Sequence, residues 1–149
     1  MWFSRKQVAQ SPPPSSASAA GKEQVTTKRL GDAAERAARD YLVRAGLKPI
    51  ASNYRTPGRG GGEIDLIMGA PDGTLVFVEV RQRSGQSHGG AAASISAAKQ
   101  QRIVLAARHY LMRFASPPPC RFDVVLVQGS PAQPGGVSLE WLRAAFDAS

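Results

Sequence analysis

Cysteine is nearly absent from this chain of 149 residues, where Cys120 stands alone. A single thiol closes no intrachain disulfide and has no CxxC neighbour, which excludes a disulfide framework and a cysteine-based zinc site. Cys120 therefore reads as a small packing residue beside a strand. Histidine is almost as scarce. His88 and His109 have no histidine or cysteine at ligand spacing, so both read as structural. No apolar run reaches the ~18 residues that suggest a membrane span, and Met1 to Gln10 lack the apolar stretch of a signal peptide. A soluble, cytoplasmic protein without a membrane partner is expected.

Acidic residues are outnumbered, 11 against 19 lysines and arginines, for a formal charge of +8. Such an excess favours a polyanionic partner, nucleic acid before an anionic membrane surface. Its distribution weakens the inference. The first 30 residues hold five basic side chains (Arg5, Lys6, Lys22, Lys28, Arg29) against Glu23, which is half of the total charge. Ser11 to Gly21 is of low complexity and has nothing large to bury. Residues 1–26 are expected to be a disordered basic tail, and residues 27–149 one globular domain, for which a 42% hydrophobic composition is sufficient.

Within that domain, Leu30, Ala34, Ala37, Tyr41 and Ala45 recur at helical spacing, and Gly46 supplies a left-handed stop. A short strand over 49–54 and the turn-rich segment 56–62 (TPGRGGG) follow. Residues 63–69 (EIDLIMG) and 75–83 (LVFVEVRQR) flank the turn 70–74 and predict a hairpin. A glycine-rich loop over 84–93 leads to a second helix over 94–114, with Ile95, Ala98, the stem of Arg102, Ala106, Tyr110 and Phe114 near one face. Pro117 to Pro119 end it. A strand over 121–127, a polar turn, a short strand near Val137 and a helical turn near Trp141 to Phe146 complete the chain. This order predicts an α/β fold, a mixed sheet with helices on its faces.

The hairpin carries the chemistry. A turn centred on Asp72 sets Asp65 directly opposite Glu79. Strand alternation puts Ile64, Leu66, Met68, Val76, Val78 and Val80 on one face. Ile67, Leu75 and Phe77 share the other with Glu63, Asp65, Glu79 and Arg81. Both faces are apolar near the turn, so the hairpin should be central and covered on both sides. Two opposed, partly buried carboxylates need a compensating cation. A divalent metal satisfies that need, and oxygen ligands on rigid strands suit Mg²⁺ or Mn²⁺. A structural ion cluster of Glu63 or Glu79 with Arg81 satisfies it equally. Both readings stand on the hairpin alone. On pattern alone, Glu35 on the first helix reads as a solvated charge, as do Lys99 and Arg102 on the second.

The strings GDAAERAARDYL, SNYR, GGEIDLI, LVFVEVRQR, GGAAAS with the following KQ, and CRFDVV occur in order over residues 28–146. Together they resemble the YraN family, bacterial proteins predicted to be endonucleases related to archaeal Holliday-junction resolvases and the PD-(D/E)xK nucleases. That resemblance implies a restriction-endonuclease-like core with a helix before and after the catalytic hairpin. It also implies a Mg²⁺- or Mn²⁺-dependent endonuclease acting on DNA, branched DNA included. The helical glutamate matches Glu35, the hairpin aspartate Asp65 and the first acid of ExK Glu79. These three would be metal ligands, and the lysine position falls on Arg81. Arginine keeps its proton at any working pH, so Arg81 would stabilise developing charge rather than act as a base. Arg83, Lys99 and Arg102 are candidate phosphate contacts, and a homodimer, common among junction-cutting enzymes, is compatible. The alternative is a catalytically silent nucleic-acid-binding module of the same fold, with its acids in an ion cluster. A further alternative is a protein-binding adaptor.

Overall fold

A computed structural model describes residues 15–58, 60–83, 95–129 and 134–148, with side chains described at 29 and from 31 onward. Its elements are α1 (Ser15–Arg44), β1 (Lys48–Arg55), β2 (Glu63–Gly69), β3 (Leu75–Arg83), α2 (Ala97–Leu111), β4 (Cys120–Gly129) and β5 (Val137–Phe146). The chain divides into two compact units, Met1–Ala33 and Ala34–Ser149. The glycine-rich loop over 84–93, with His88, lies outside the described residues.

The five strands lie in the order β1-β2-β3-β4-β5. All neighbours are antiparallel except β3 and β4, which run parallel. A parallel neighbour cannot be reached by a tight turn, and α2 lies in the connection that makes the crossover. The result is a mixed α/β fold, compatible with a restriction-endonuclease-like core.

Residues 34–44 of α1 pack on one face of the sheet. Ala34, Ala38 and Leu42, spaced four apart, are buried with Leu66, Met68, Val76, Val78, Val125 and Val127. The helix ends at Gly46, whose φ of 108° suits glycine, and Leu47 N–H donates to the Leu42 carbonyl at 3.0 Å while both side chains are buried. On the other face, α2 brings Ile103, Ala106, Ala107 and Tyr110 against Ile67, Leu75, Phe77 and Phe122. The hairpin is thus covered on both sides, as its two apolar faces imply.

Its turn follows the local chemistry. Gly73 N–H donates to the Ala70 carbonyl at 3.0 Å, Gly73 adopts a φ of 93°, and the Asp72 carboxylate accepts the Thr74 N–H at 3.0 Å. That last bond holds the exposed Asp72 carboxyl below its usual range. The ladder pairs Gly69 with Leu75, Met68 with Val76, Ile67 with Phe77 and Leu66 with Val78, the register that a turn centred on Asp72 requires.

Several expectations need correction. The first helix begins at Ser15 rather than near Thr27, so it includes part of the low-complexity stretch. Alanine, lysine, glutamate and glutamine in 17–24 have good intrinsic helix propensity, which a reading based on burial overlooks. Ile64 joins the buried cluster on the α2 side instead of the Leu66 face. Alternation therefore breaks at the start of β2, where Gly62 lies tight against α2. Ala98 and Arg102 are exposed, and the buried stripe runs through Ile103 instead. Burying an isoleucine removes more apolar area from water than an alanine with an arginine stem. Cys120 is exposed at the start of β4 rather than packed. Finally, residues 141–146 continue β5 instead of forming a helical turn. A short apolar run fits either period, and pairing with the open edge of β4 decides the outcome.

Candidate metal and phosphate site

The open end of the hairpin brings Asp65 and Glu79 together. Beyond the Leu66–Val78 pair, the Asp65 carboxylate accepts the Val80 N–H at 2.8 Å, which fixes the side chain across the two strands. Glu79 is buried, at 8% exposure, and its carboxyl is pushed up to about 8. Loss of hydration is the main cause, followed by the Asp65 charge and a hydrogen bond between the two side chains. The pair therefore holds a proton where two isolated carboxylates would both be ionised.

The cation that touches this pair comes from α2. Lys99 Nζ lies 3.7 Å from Glu79 Oε2. Ser96 caps the helix, its hydroxyl accepting the Lys99 N–H at 3.1 Å, and Gln100 Nε2 donates to the Ile95 carbonyl at 2.9 Å. These bonds fix the first turn of α2 and with it the base of the lysine. Arg81, two residues beyond Glu79, lowers the Glu79 carboxyl less than Lys99 does. Glu63 pairs with Arg55 at 2.7 Å. The ion pairs thus use cations from other elements than the Arg81 expected in a hairpin ion cluster.

Glu35 lies on α1, beside the buried Ala34 and Ala38, and so belongs to the layer on the opposite face of the sheet from Lys99. Among the described residues, no three of His, Cys, Asp and Glu converge closely enough to hold one ion. The geometry joins Asp65, Glu79 and Lys99. Arg83 Nη1 approaches Glu140 of β5 at 3.8 Å, with the Arg83 side chain largely buried. Arg102 lies one helical turn from Lys99 and lines an open cavity together with Gly58, Gly60, Gly61 and Gly62. His109 is hydrogen-bonded to the Tyr54 hydroxyl at 2.6 Å, in keeping with a structural role.

Two features were not singled out in the sequence. Lys99 appeared only as a phosphate contact, because its approach to Glu79 depends on where α2 docks. Asp123 is fully buried and accepts hydrogen bonds from Arg121 Nε at 3.1 and 3.2 Å, Trp141 Nε1 at 2.9 Å and Ala144 N at 2.9 Å. A lone aspartate within the apolar run RFDVVLV was the available signal, since an unpaired charge is almost never fully buried.

Among the described residues, no helix is long and apolar enough to cross a membrane. Residues 34–127 match the uncharacterised protein family UPF0102, a span that contains all the residues discussed above from Glu35 to Asp123. A UPF0102 protein of Polaromonas sp. strain JS666 is 75% identical over 152 residues, covering 100% of both chains. One of Polaromonas naphthalenivorans is 72% identical over 155 residues, again covering 100% of both. A third, of Albidiferax ferrireducens, is 65% identical over 123 residues, covering 83% of this chain and 91% of its own. The chain belongs to the UPF0102 family, the YraN family that its motifs resemble.

Proposed function

We propose that the protein is a divalent-metal-dependent endonuclease that hydrolyses DNA phosphodiester bonds, with branched DNA among its substrates. The observation that carries this reading is the Asp65–Glu79 pair. Two carboxylates in contact, one buried and raised to about 8, form a site where a divalent cation can replace the retained proton. The all-oxygen donor set suits Mg²⁺ or Mn²⁺. Asp65 and Glu79 would hold the ion, with Glu35 completing its surroundings from α1. When bound, the ion would supply Lewis-acid stabilisation to a phosphoryl oxygen.

The protein's own groups do the rest. Asp65 is held by the Val80 N–H, so its carboxylate is oriented in advance. Lys99 supplies positive charge at Glu79, while Arg81 occupies the ExK position. Arg81 would stabilise the additional charge of the transition state without exchanging a proton. Arg83 and Arg102 would bind flanking phosphates.

Cleavage of linear and branched DNA in Mg²⁺ or Mn²⁺ tests this assignment. Asp65→Ala is expected to reduce the rate about 100-fold or more, and Lys99→Met to reduce it with a changed pH profile. Equal activity of wild type and Asp65→Ala would refute it. The approach of Lys99 to Glu79 favours one other reading, the catalytically silent binding module, because the lysine and the retained proton together balance the two acids without a metal. Calorimetric titration with Mn²⁺ separates the two: the nuclease binds the ion through Asp65, and the silent module does not.

A further inference from the structure

Arg55, Thr56, Gly58, Gly60, Gly61, Gly62, Glu63 and Arg102 line an open cavity of about 320 Å³. Among the described residues no large apolar side chain lines it, so it does not suit an apolar ligand. Thr56 and Gly62 are tied to each other. Thr56 N–H donates to the Gly62 carbonyl at 3.1 Å, and Gly62 N–H donates to the Thr56 hydroxyl at 2.7 Å, which closes the neck of the loop. Gly58 and Gly60 adopt φ of 90° and 68°, conformations that side chains rarely permit. A Cβ at Gly61 would overlap the Thr56 hydroxyl, and one at Gly62 would overlap the Arg102 carbonyl. Backbone N–H groups in such turns form anion-binding concavities. Among the described lining residues two guanidinium groups stand against one carboxylate, which leaves a positive excess, and Glu63 pairs with the Nε of Arg55 at 2.7 Å.

The cavity adjoins the acid pair. Lys99 and Arg102 are three residues apart on α2, with their Cβ atoms about 5–6 Å apart, and one reaches Glu79 while the other lines the cavity. Gly62 and Asp65 are separated by three residues of strand, at most about 10 Å. We infer that this cavity binds a backbone phosphate of a nucleic-acid strand and so positions the neighbouring phosphodiester at Asp65 and Glu79. Its placement of the cleaved bond rests on the proposed hydrolysis, whereas phosphate binding does not.

The full-length, isotope-labelled protein, in metal-free buffer, would be titrated with a 5′-phosphorylated tetradeoxynucleotide and separately with inorganic phosphate. The amide resonances of Gly58, Gly60 and Gly61 are expected to shift with the oligonucleotide. In anisotropy measurements with a DNA duplex, Arg102→Ala should weaken binding about fivefold and reduce the salt slope by about one, with Arg102→Lys restoring most of the loss. Arg108→Ala, an exposed change on the same helix, should have less than half that effect. Unmoved glycine resonances, shifts with phosphate but not with oligonucleotide, or equal losses for Arg102→Ala and Arg108→Ala would each overturn the inference. The same variants assayed for cleavage separate the two readings. Arg102-dependent binding without any cleavage would sink the hydrolysis and keep the phosphate site. Cleavage with Arg102→Ala equal to wild type would do the reverse.

Discussion

Glu79 links the chemistry of the site to the stability of the fold. Its carboxyl lies at about 8 in the folded protein against an ordinary 4.5. Between those values the folded state retains a proton that the unfolded chain releases, so stability is fully present below 4.5 and is lost as pH rises through about 8. In a chelator, the thermal midpoint should therefore fall between roughly pH 5 and pH 9. Glu79→Gln should flatten that decline, and saturating Mn²⁺ should restore the midpoint at the alkaline end by replacing the proton. A midpoint profile equally steep in wild type and Glu79→Gln would show that another group sets the slope. The contact between Asp65 and Glu79 was legible in the sequence because both lie on strands joined by a turn of fixed centre. The approach of Lys99 was not, because it depends on a helix that docks from a distance.

At the scale of elements, β5 is tied to the sheet by a side chain as well as by its ladder. The β4–β5 register shifts between Phe122 and Val124, and Ala144 takes a φ of 50°. Both irregularities centre on Asp123, whose carboxylate accepts the Ala144 N–H and the Trp141 indole N–H. Asp123→Ala would leave those donors and Arg121 unpaired and is expected to cost about 3–5 kcal/mol, read from denaturant unfolding. Asp123→Asn, which keeps acceptors, should cost less. A loss under about 1 kcal/mol for Asp123→Ala would mean that the ladder alone holds β5. The bounds of the hairpin strands were legible to the residue, since the turn residues fix them, although Ile64 departs from the expected face. The end of β5 was not, because VSLEWLRAAF satisfies a helical and an extended period alike and only a partner strand selects between them.

For the whole molecule, the charge of +8 divides evenly between the first 30 residues and the rest. If nucleic acid is the partner, replacing Arg5, Lys6, Lys22 and Lys28 by glutamine should reduce the salt slope for duplex DNA by up to about 3.6. Binding by the remaining residues, and its dependence on Arg102, should persist. Anisotropy titrations over a range of salt concentrations measure both. Complete loss of binding in that variant would place the interface in the N-terminal segment and not at the hairpin.

The sequence by itself determined the α/β order, the hairpin and its register, and the family. Each of these depends on residues near in the chain, on alternation, on turn chemistry or on motifs in fixed order. Tertiary structure alone decided which groups meet at Glu79, and the constellation changed accordingly. Asp65 and Glu79 are in contact, and Lys99 joins them. The reason is physical: α2 is set down where Gly62 allows its backbone to approach β2, and that close approach carries Lys99 to Glu79 and Arg102 to the cavity beside Gly62.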